Sequence, residues 1–129
     1  MNWNPGQASS KTIFIIEDND LNMKLFCDLL HADGYETIQS SDGKKVLEIA
    51  HERRPDLIIM DIQLPNRSGL DLTKLLKSDE HLTHIPIVAV TAYAMKGDRR
   101  KILDAGCDDY IAKPILIPEF LETIARHMS

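Results

Sequence analysis

Three short runs in this chain are apolar from end to end: Ile13-Phe14-Ile15-Ile16, Leu57-Ile58-Ile59-Met60 and Ile87-Val88-Ala89-Val90. Each is too short for a helix, rich in β-branched residues and without polar alternation, so each reads as a strand covered on both faces. Strands of that kind belong to parallel sheets whose crossover helices lie on the two sides. Two further runs, about Glu36 to Gln39 and Asp109 to Ala112, mix polar with apolar residues and suit the sheet edges. The expectation is five strands.

The segments between them carry helical spacing. Leu21, Leu25, Leu29 and Leu30 form one apolar stripe, ended by the turn chemistry of Asp33-Gly34. Val46, Leu47 and Ala50 mark a second helix. A third runs from about Ser68 with Leu72, Leu75 and Leu76 inward, and a fifth follows Pro118 with Phe120, Leu121, Ile124 and Ala125 inward. The fourth, from Lys96 to Ala105, is mostly charged and has only Met95, Ile102 and Leu103 to hold it before Gly106 stops it. A helix so weakly anchored is easily moved. Five alternating units without repeat or linker predict a doubly wound α/β fold, whose sites lie beyond the carboxyl ends of its strands.

At 129 residues and 43% hydrophobic content the chain suits one domain, expected over residues 11–129 after a flexible polar tail at 1–10. The 20 acidic and 15 basic residues give a formal charge of -5, and no basic stretch is large enough to neutralise many phosphates, which argues against direct nucleic-acid binding. The run Arg99, Arg100 and Lys101 reads as a solvated helix face. Cys27 and Cys107 lack metal or redox spacing and read as reduced thiols, and the five histidines show no ligand pattern. There is no signal-peptide pattern and no apolar run long enough to span a bilayer, so no membrane insertion and a cytoplasmic location are expected.

Polar residues collect at the strand ends. The first strand runs into Glu17-Asp18, the third into Asp61, the fourth into Thr91, and the fifth is followed by Lys113-Pro114. Asp61 ends a wholly apolar run and opens a loop containing Gln63, Pro65 and Gly69, a costly place for a carboxylate unless something compensates it. Crowded carboxylates call for a hard cation, and Mg²⁺ suits best because it needs few protein oxygens and leaves room for a phosphate oxygen. Asp18 and Asp61 are the expected direct ligands, with the Gln63 backbone carbonyl as another and Glu17 acting through water. Lys113 offers an ammonium and Thr91 a hydroxyl to an incoming anion. Acid, metal, cation and hydroxyl together describe phosphoryl capture on Asp61, through its carboxylate as nucleophile.

With Glu17-Asp18, Asp61 within DIQLPNRSG, Thr91-Ala92, Tyr110 and Lys113-Pro114 in this order, the chain resembles the receiver domain of two-component response regulators from Thr12 to His127. The stretches EDNDLNMKLF, MDIQLP, VAVTAYAMKGD and AGCDDYIAKP look closer still to single-domain regulators of bacterial cell division and polarity. The resemblance implies a flavodoxin-like strand order 2-1-3-4-5 and Asp61 as acceptor from a phosphohistidine on a sensor histidine kinase or phosphotransfer protein. It also implies a Thr91 that turns toward the aspartyl phosphate, a Tyr110 that rotates inward behind it, and a cis peptide bond before Pro114. Such a domain is no enzyme acting on a released substrate. Its chemistry is self-phosphotransfer and slow autodephosphorylation. With the last helix reaching Ser129, the signal is expected to leave through contacts with other proteins, such as downstream kinases or scaffolds.

Two other readings fit less well. A Mg²⁺-dependent aspartate-nucleophile phosphohydrolase wants a second acid two residues past the nucleophile, where this chain has Gln63. Flavin or nucleotide binding wants a Gly- or hydroxyl-rich phosphate loop where this chain has Glu17-Asp18-Asn19-Asp20.

Overall fold

The computed structural model describes residues 11–64, 68–92 and 96–128, except for the side chains of residues 96 and 97. The expected tail at 1–10, Pro65 of the acceptor loop and Met95 of the fourth helix lie outside the described residues. Strands and helices alternate without exception: β1 (Thr12–Ile16), α1 (Asp20–Ala32), β2 (Glu36–Ser40), α2 (Val46–Arg53), β3 (Leu57–Asp61), α3 (Gly69–Ser78), β4 (Ile87–Thr91), α4 (Lys96–Asp104), β5 (Asp109–Ala112) and α5 (Ile117–Met128). The five strands form one parallel sheet in the order β2-β1-β3-β4-β5, so the mixed-composition strands are the edges, as expected.

Side-chain alternation along the central strands splits the core in two. Phe14, Ile16, Ile58, Met60, Ile87 and Ala89 face Val46 and Ala50 of α2, Leu72 and Leu76 of α3, and Ile102 of α4. Ile13, Ile15, Leu57, Ile59, Val88 and Val90 face Phe26 and Leu30 of α1 and Phe120 and Ile124 of α5. The Phe26 and Phe120 rings stack at 5.2 Å, tying α1 to α5. A fully buried Phe or Leu contributes about 1.5–3 kcal/mol by leaving water, which makes these two layers the main source of stability.

Helix faces depart from the sequence reading in three places. In α1 the buried residues are Met23, Phe26, Cys27 and Leu30, while Leu21 is 79% exposed and Leu25 also faces solvent. Of the expected stripe, Leu30 is buried and Leu29 packs against the core, so the buried face is shifted toward Met23, Phe26 and Cys27 and away from Leu21 and Leu25. In α3, Leu75 is exposed and Thr73 is buried, because the Thr73 hydroxyl donates to the Gly69 carbonyl at 2.8 Å and needs no water. In α5, Ala125 is exposed and Met128 is buried. Of the α4 anchors that are described, Ile102 is buried and Leu103 is exposed, and Gly106 follows with a φ of +112° that favours glycine. Arg99, Arg100 and Lys101 are exposed, although the Arg99 guanidinium also sits 5.3 Å from the Tyr110 ring.

The amino ends of the strands are pinned by polar contacts. Lys77 Nζ donates to the carbonyls of Thr83 and Ile85 at 3.2 and 2.8 Å and to Asp108 Oδ2 at 2.9 Å. The same carboxylate oxygen accepts from the Ile87 amide at 2.8 Å. Asp56 does likewise for β1, accepting from the Thr12 amide at 2.9 Å. Both cysteines are buried and unpaired.

Candidate functional site

At the opposite end of the sheet, β1 and β3 lie side by side in register, Ile16 against Met60, so their exits deliver carboxylates to one place. Glu17 is 1% exposed and Asp61 2% exposed, whereas Asp18 faces solvent. The nearest carboxylate oxygens of Glu17, Asp18 and Asp61 all lie within 4.8 Å of one another. Glu17 is held by its amide donating to the Ser40 carbonyl at 3.0 Å and by its Oε2 accepting from the Asn19 amide at 3.1 Å. Asn19 in turn caps α1 by accepting from the Asn22 amide.

Asp61 is fixed by the backbone around it. Its Oδ1 accepts from the Gln63 amide at 2.9 Å. The Ile62 amide donates to Val90 and the Gly69 amide donates back to Ile62, closing the loop over the strand end. Gly69 is the closing residue because nothing larger fits: a Cβ there would stand 2.3 Å from the Asp61 carbonyl oxygen and 2.8 Å from Ile62 Cα. Its sequence signature is a lone glycine a short loop beyond an acidic strand end.

Lys113 reaches the cluster from β5. Its amide donates to the Thr91 carbonyl at 2.8 Å, and its Nζ lies 3.0 Å from Glu17 Oε1 and 3.5 Å from Asp61 Oδ2. The Lys113–Pro114 bond is cis, as the resemblance implied. Thr91, 1% exposed, ends β4 beside the cluster. Tyr110 is not brought to the carboxylates. It pairs with Ala89 across the sheet and packs, half-buried, against the core under α4.

The charges do not balance. Burial pushes the Asp61 carboxyl above the ordinary carboxylate range, and Glu17 adds to this, while the Gln63 amide, a hydrogen bond with Asp18 and Lys113 oppose it. Asp18 is also raised, by partial desolvation and then by its neighbour Asp61. Three carboxylates face one ammonium, all oxygen donors, a set that fits a hard divalent cation. Such a pocket can bring a cation, a nucleophilic carboxylate and a lysine to bear on one phosphoryl group.

Beside Lys113 a groove of about 360 Å³ is lined by Asn22, Leu25, Phe26, Ala92, Pro114 and Ile115. Leu21, Leu116 and Ile117 are exposed nearby in sequence to its two walls. The apolar stripe expected of α1 puts Leu21 and Leu25 in the core, whereas both are exposed and Leu25 lines this groove.

A doubly wound sheet with this carboxylate and lysine arrangement defines a class, and the family profile of the response regulator receiver domain matches residues 13–125. The chain belongs to that family. It is 58% identical to the polar-differentiation response regulator DivK of Brucella anthropi over 118 residues, 92% of this chain and 96% of the relative. Among solved structures it is similar to the receiver domain of a sensor histidine kinase from Pseudomonas aeruginosa with a magnesium ion coordinated in the active-site cleft. That likeness has a TM-score of 0.84 at 34% identity, covering 92% of this chain and 98% of that one. The chemotaxis protein CheY4 of Vibrio cholerae shares the fold, with a TM-score of 0.85 at 22% identity over 91% of this chain and 98% of its own. Among the described residues no helix is long and apolar enough to cross a membrane.

Proposed function

We propose that this response regulator is a cytoplasmic switch that takes a phosphoryl group onto Asp61 from a phosphohistidine and thereby changes a protein-binding surface. The observation that carries the reading is the buried Asp61 carboxylate, within 4.8 Å of two others and 3.5 Å from Lys113 Nζ. In the transfer, an Asp61 oxygen forms a bond to phosphorus as the bond from phosphorus to the histidine nitrogen breaks. The electron pair leaves with the imidazole, and an acyl phosphate remains on Asp61. The Gln63 amide orients the carboxylate, Lys113 neutralises the arriving oxygens, and Thr91 donates its hydroxyl to one of them. Asp18, Asp61 and the Gln63 carbonyl would hold Mg²⁺, with Glu17 reaching it through water; when bound, the ion offsets the charge of the transferring group. Tyr110 moving inward, with α4 following, would carry the change to the face of α4, β5 and α5. The acyl phosphate is then lost slowly to water.

The donor must bring its imidazole to Asp61, so the protein carrying it has to cover the rim of the pocket. Leu25 lines the groove beside Lys113, and Leu21, Leu116 and Ile117 are exposed on the segments that follow Asn19 and Pro114; we assign this apolar surface to the sensor kinase or phosphotransfer protein. The name of the Brucella relative, a polar-differentiation regulator, supports an output in cell polarity; a role in cell division, exerted through downstream kinases or scaffolds, is part of the same proposal. A phosphohydrolase reading lacks its second acid: Gln63 stands there, and its Oε1 accepts from the Ala92 amide.

Incubation with Mg²⁺ and acetyl phosphate, followed by intact mass and peptide mapping, tests the assignment. The expected result is one phosphoryl group on Asp61, abolished by Asp61→Asn. A label on another residue, or one that survives the substitution, would falsify it.

A further inference from the structure

Gln63 bridges the two loops on which the proposed chemistry depends. Its backbone amide holds Asp61 Oδ1 at 2.9 Å, while its side-chain Oε1 accepts from the Ala92 amide at 3.4 Å. The side-chain Nε2 is buried with no hydrogen-bond partner among the described residues. A long hydrogen bond at one end of a carboxamide and an unmet donor at the other mark an arrangement that is easily exchanged for a better one. Ala92 follows Thr91 directly and lines the groove that also contains Lys113, whose ammonium reaches Asp61. Asp61 also pairs with Val90, two residues before Ala92, and Gln63 contacts both Asp61 and Ala92, so oxygens of a group on Asp61 can compete for the Ala92 N–H, and an anionic oxygen is a stronger acceptor than a neutral amide.

Resting on the reading of Asp61 as acceptor, we propose that the Gln63 carboxamide is a positioning latch. It occupies the Ala92 N–H in the unphosphorylated molecule and holds the Thr91–Ala92 turn in its resting place. A phosphoryl group on Asp61 displaces it. The latch opposes capture, so its loss favours the phosphorylated form, and the strength of one weak neutral hydrogen bond sets the size of the effect at roughly two- to tenfold.

The test compares wild type with Gln63→Met, which keeps length and removes the acceptor, and with Gln63→Glu, which keeps an acceptor oxygen. Hydrogen exchange at the Ala92 amide is read by NMR in the unphosphorylated proteins, and the phosphorylated fraction is read by intact mass at limiting acetyl phosphate with Mg²⁺. Gln63→Met should speed Ala92 exchange roughly two- to tenfold and raise the phosphorylated fraction, while Gln63→Glu keeps exchange slow. Unchanged exchange, or an unchanged fraction in a Met variant whose wild-type parent is phosphorylated, overturns the latch. A wild type that takes up no phosphoryl group overturns the underlying reading instead.

Discussion

Asp61→Asn should make the metal-free protein more stable at neutral pH, although it removes the proposed acceptor. Asp61 and Glu17 are 2% and 1% exposed, so their charges are poorly solvated. At an effective dielectric of about 20, a like-charge pair at the 4.8 Å limit of the cluster costs roughly 3.5 kcal/mol. Lys113, 3.5 Å from Asp61, offsets about 4.7 kcal/mol on the same scale. Two repulsions against one attraction leave the ionised Asp61 unfavourable by about 2 kcal/mol; solvent around the exposed Asp18 reduces this, and desolvation of Asp61 increases it. The asparagine retains an oxygen for the Gln63 amide, so the expected gain is about 1–3 kcal/mol.

The pH dependence follows from the direction of the shift. A carboxyl whose folded-state pKa is raised contributes stability below its unfolded value near 3.8, and that stability is lost as pH rises through the raised value. The advantage of the asparagine variant should therefore be largest at neutral pH and shrink toward acid. Added Mg²⁺ should stabilise the wild type more than the variant. Urea unfolding in chelator at neutral and mildly acidic pH, repeated with Mg²⁺, measures all three. A variant no more stable than wild type in chelator at neutral pH, or an advantage that grows toward acid, would refute the charge-crowding argument.

Leu21→Arg should leave stability within about 0.5 kcal/mol, since Leu21 is 79% exposed, yet slow transfer from a phosphohistidine protein about tenfold relative to uptake from acetyl phosphate. Equal slowing with both donors would remove the apolar surface from the docking face. Gly69→Ala should cost about 3 kcal/mol in urea unfolding, because its Cβ would stand 2.3 Å from the Asp61 carbonyl oxygen. Burial pushes the Cys107 thiol up to about 11, so iodoacetamide at mildly alkaline pH should label it only after denaturation, as followed by mass.

The sheet was readable because a strand covered on both faces has no freedom in its composition: β3 and β4 are buried at every residue, and their sequences say so. The strand-end residues followed from topology, since parallel strands deliver their exits to one edge. Helix faces were harder. In α1, Leu21 and Leu25 compete with Met23 and Phe26, and the winner is set by Phe26 stacking on Phe120 in the last helix of the chain. The burial of Thr73 depended on a carbonyl one turn earlier, a contact that hydrophobicity does not register. Likewise, the three contacts of Lys77 join separate segments and leave no local pattern.

Those contacts place the structural pins at the amino ends of the strands, while the crowded carboxylates occupy the carboxyl ends. The molecule is thus divided along its strands into a half that is tuned for persistence and a half that sacrifices persistence for reactivity. A mutational survey scored separately for cellular abundance and for phosphoryl uptake should reveal two hemispheres. Around Lys77, Asp108 and Asp56 the two scores should fall together. Around Glu17, Asp18 and Asp61 they should part, with some of the most damaging changes to signalling found in the most abundant proteins.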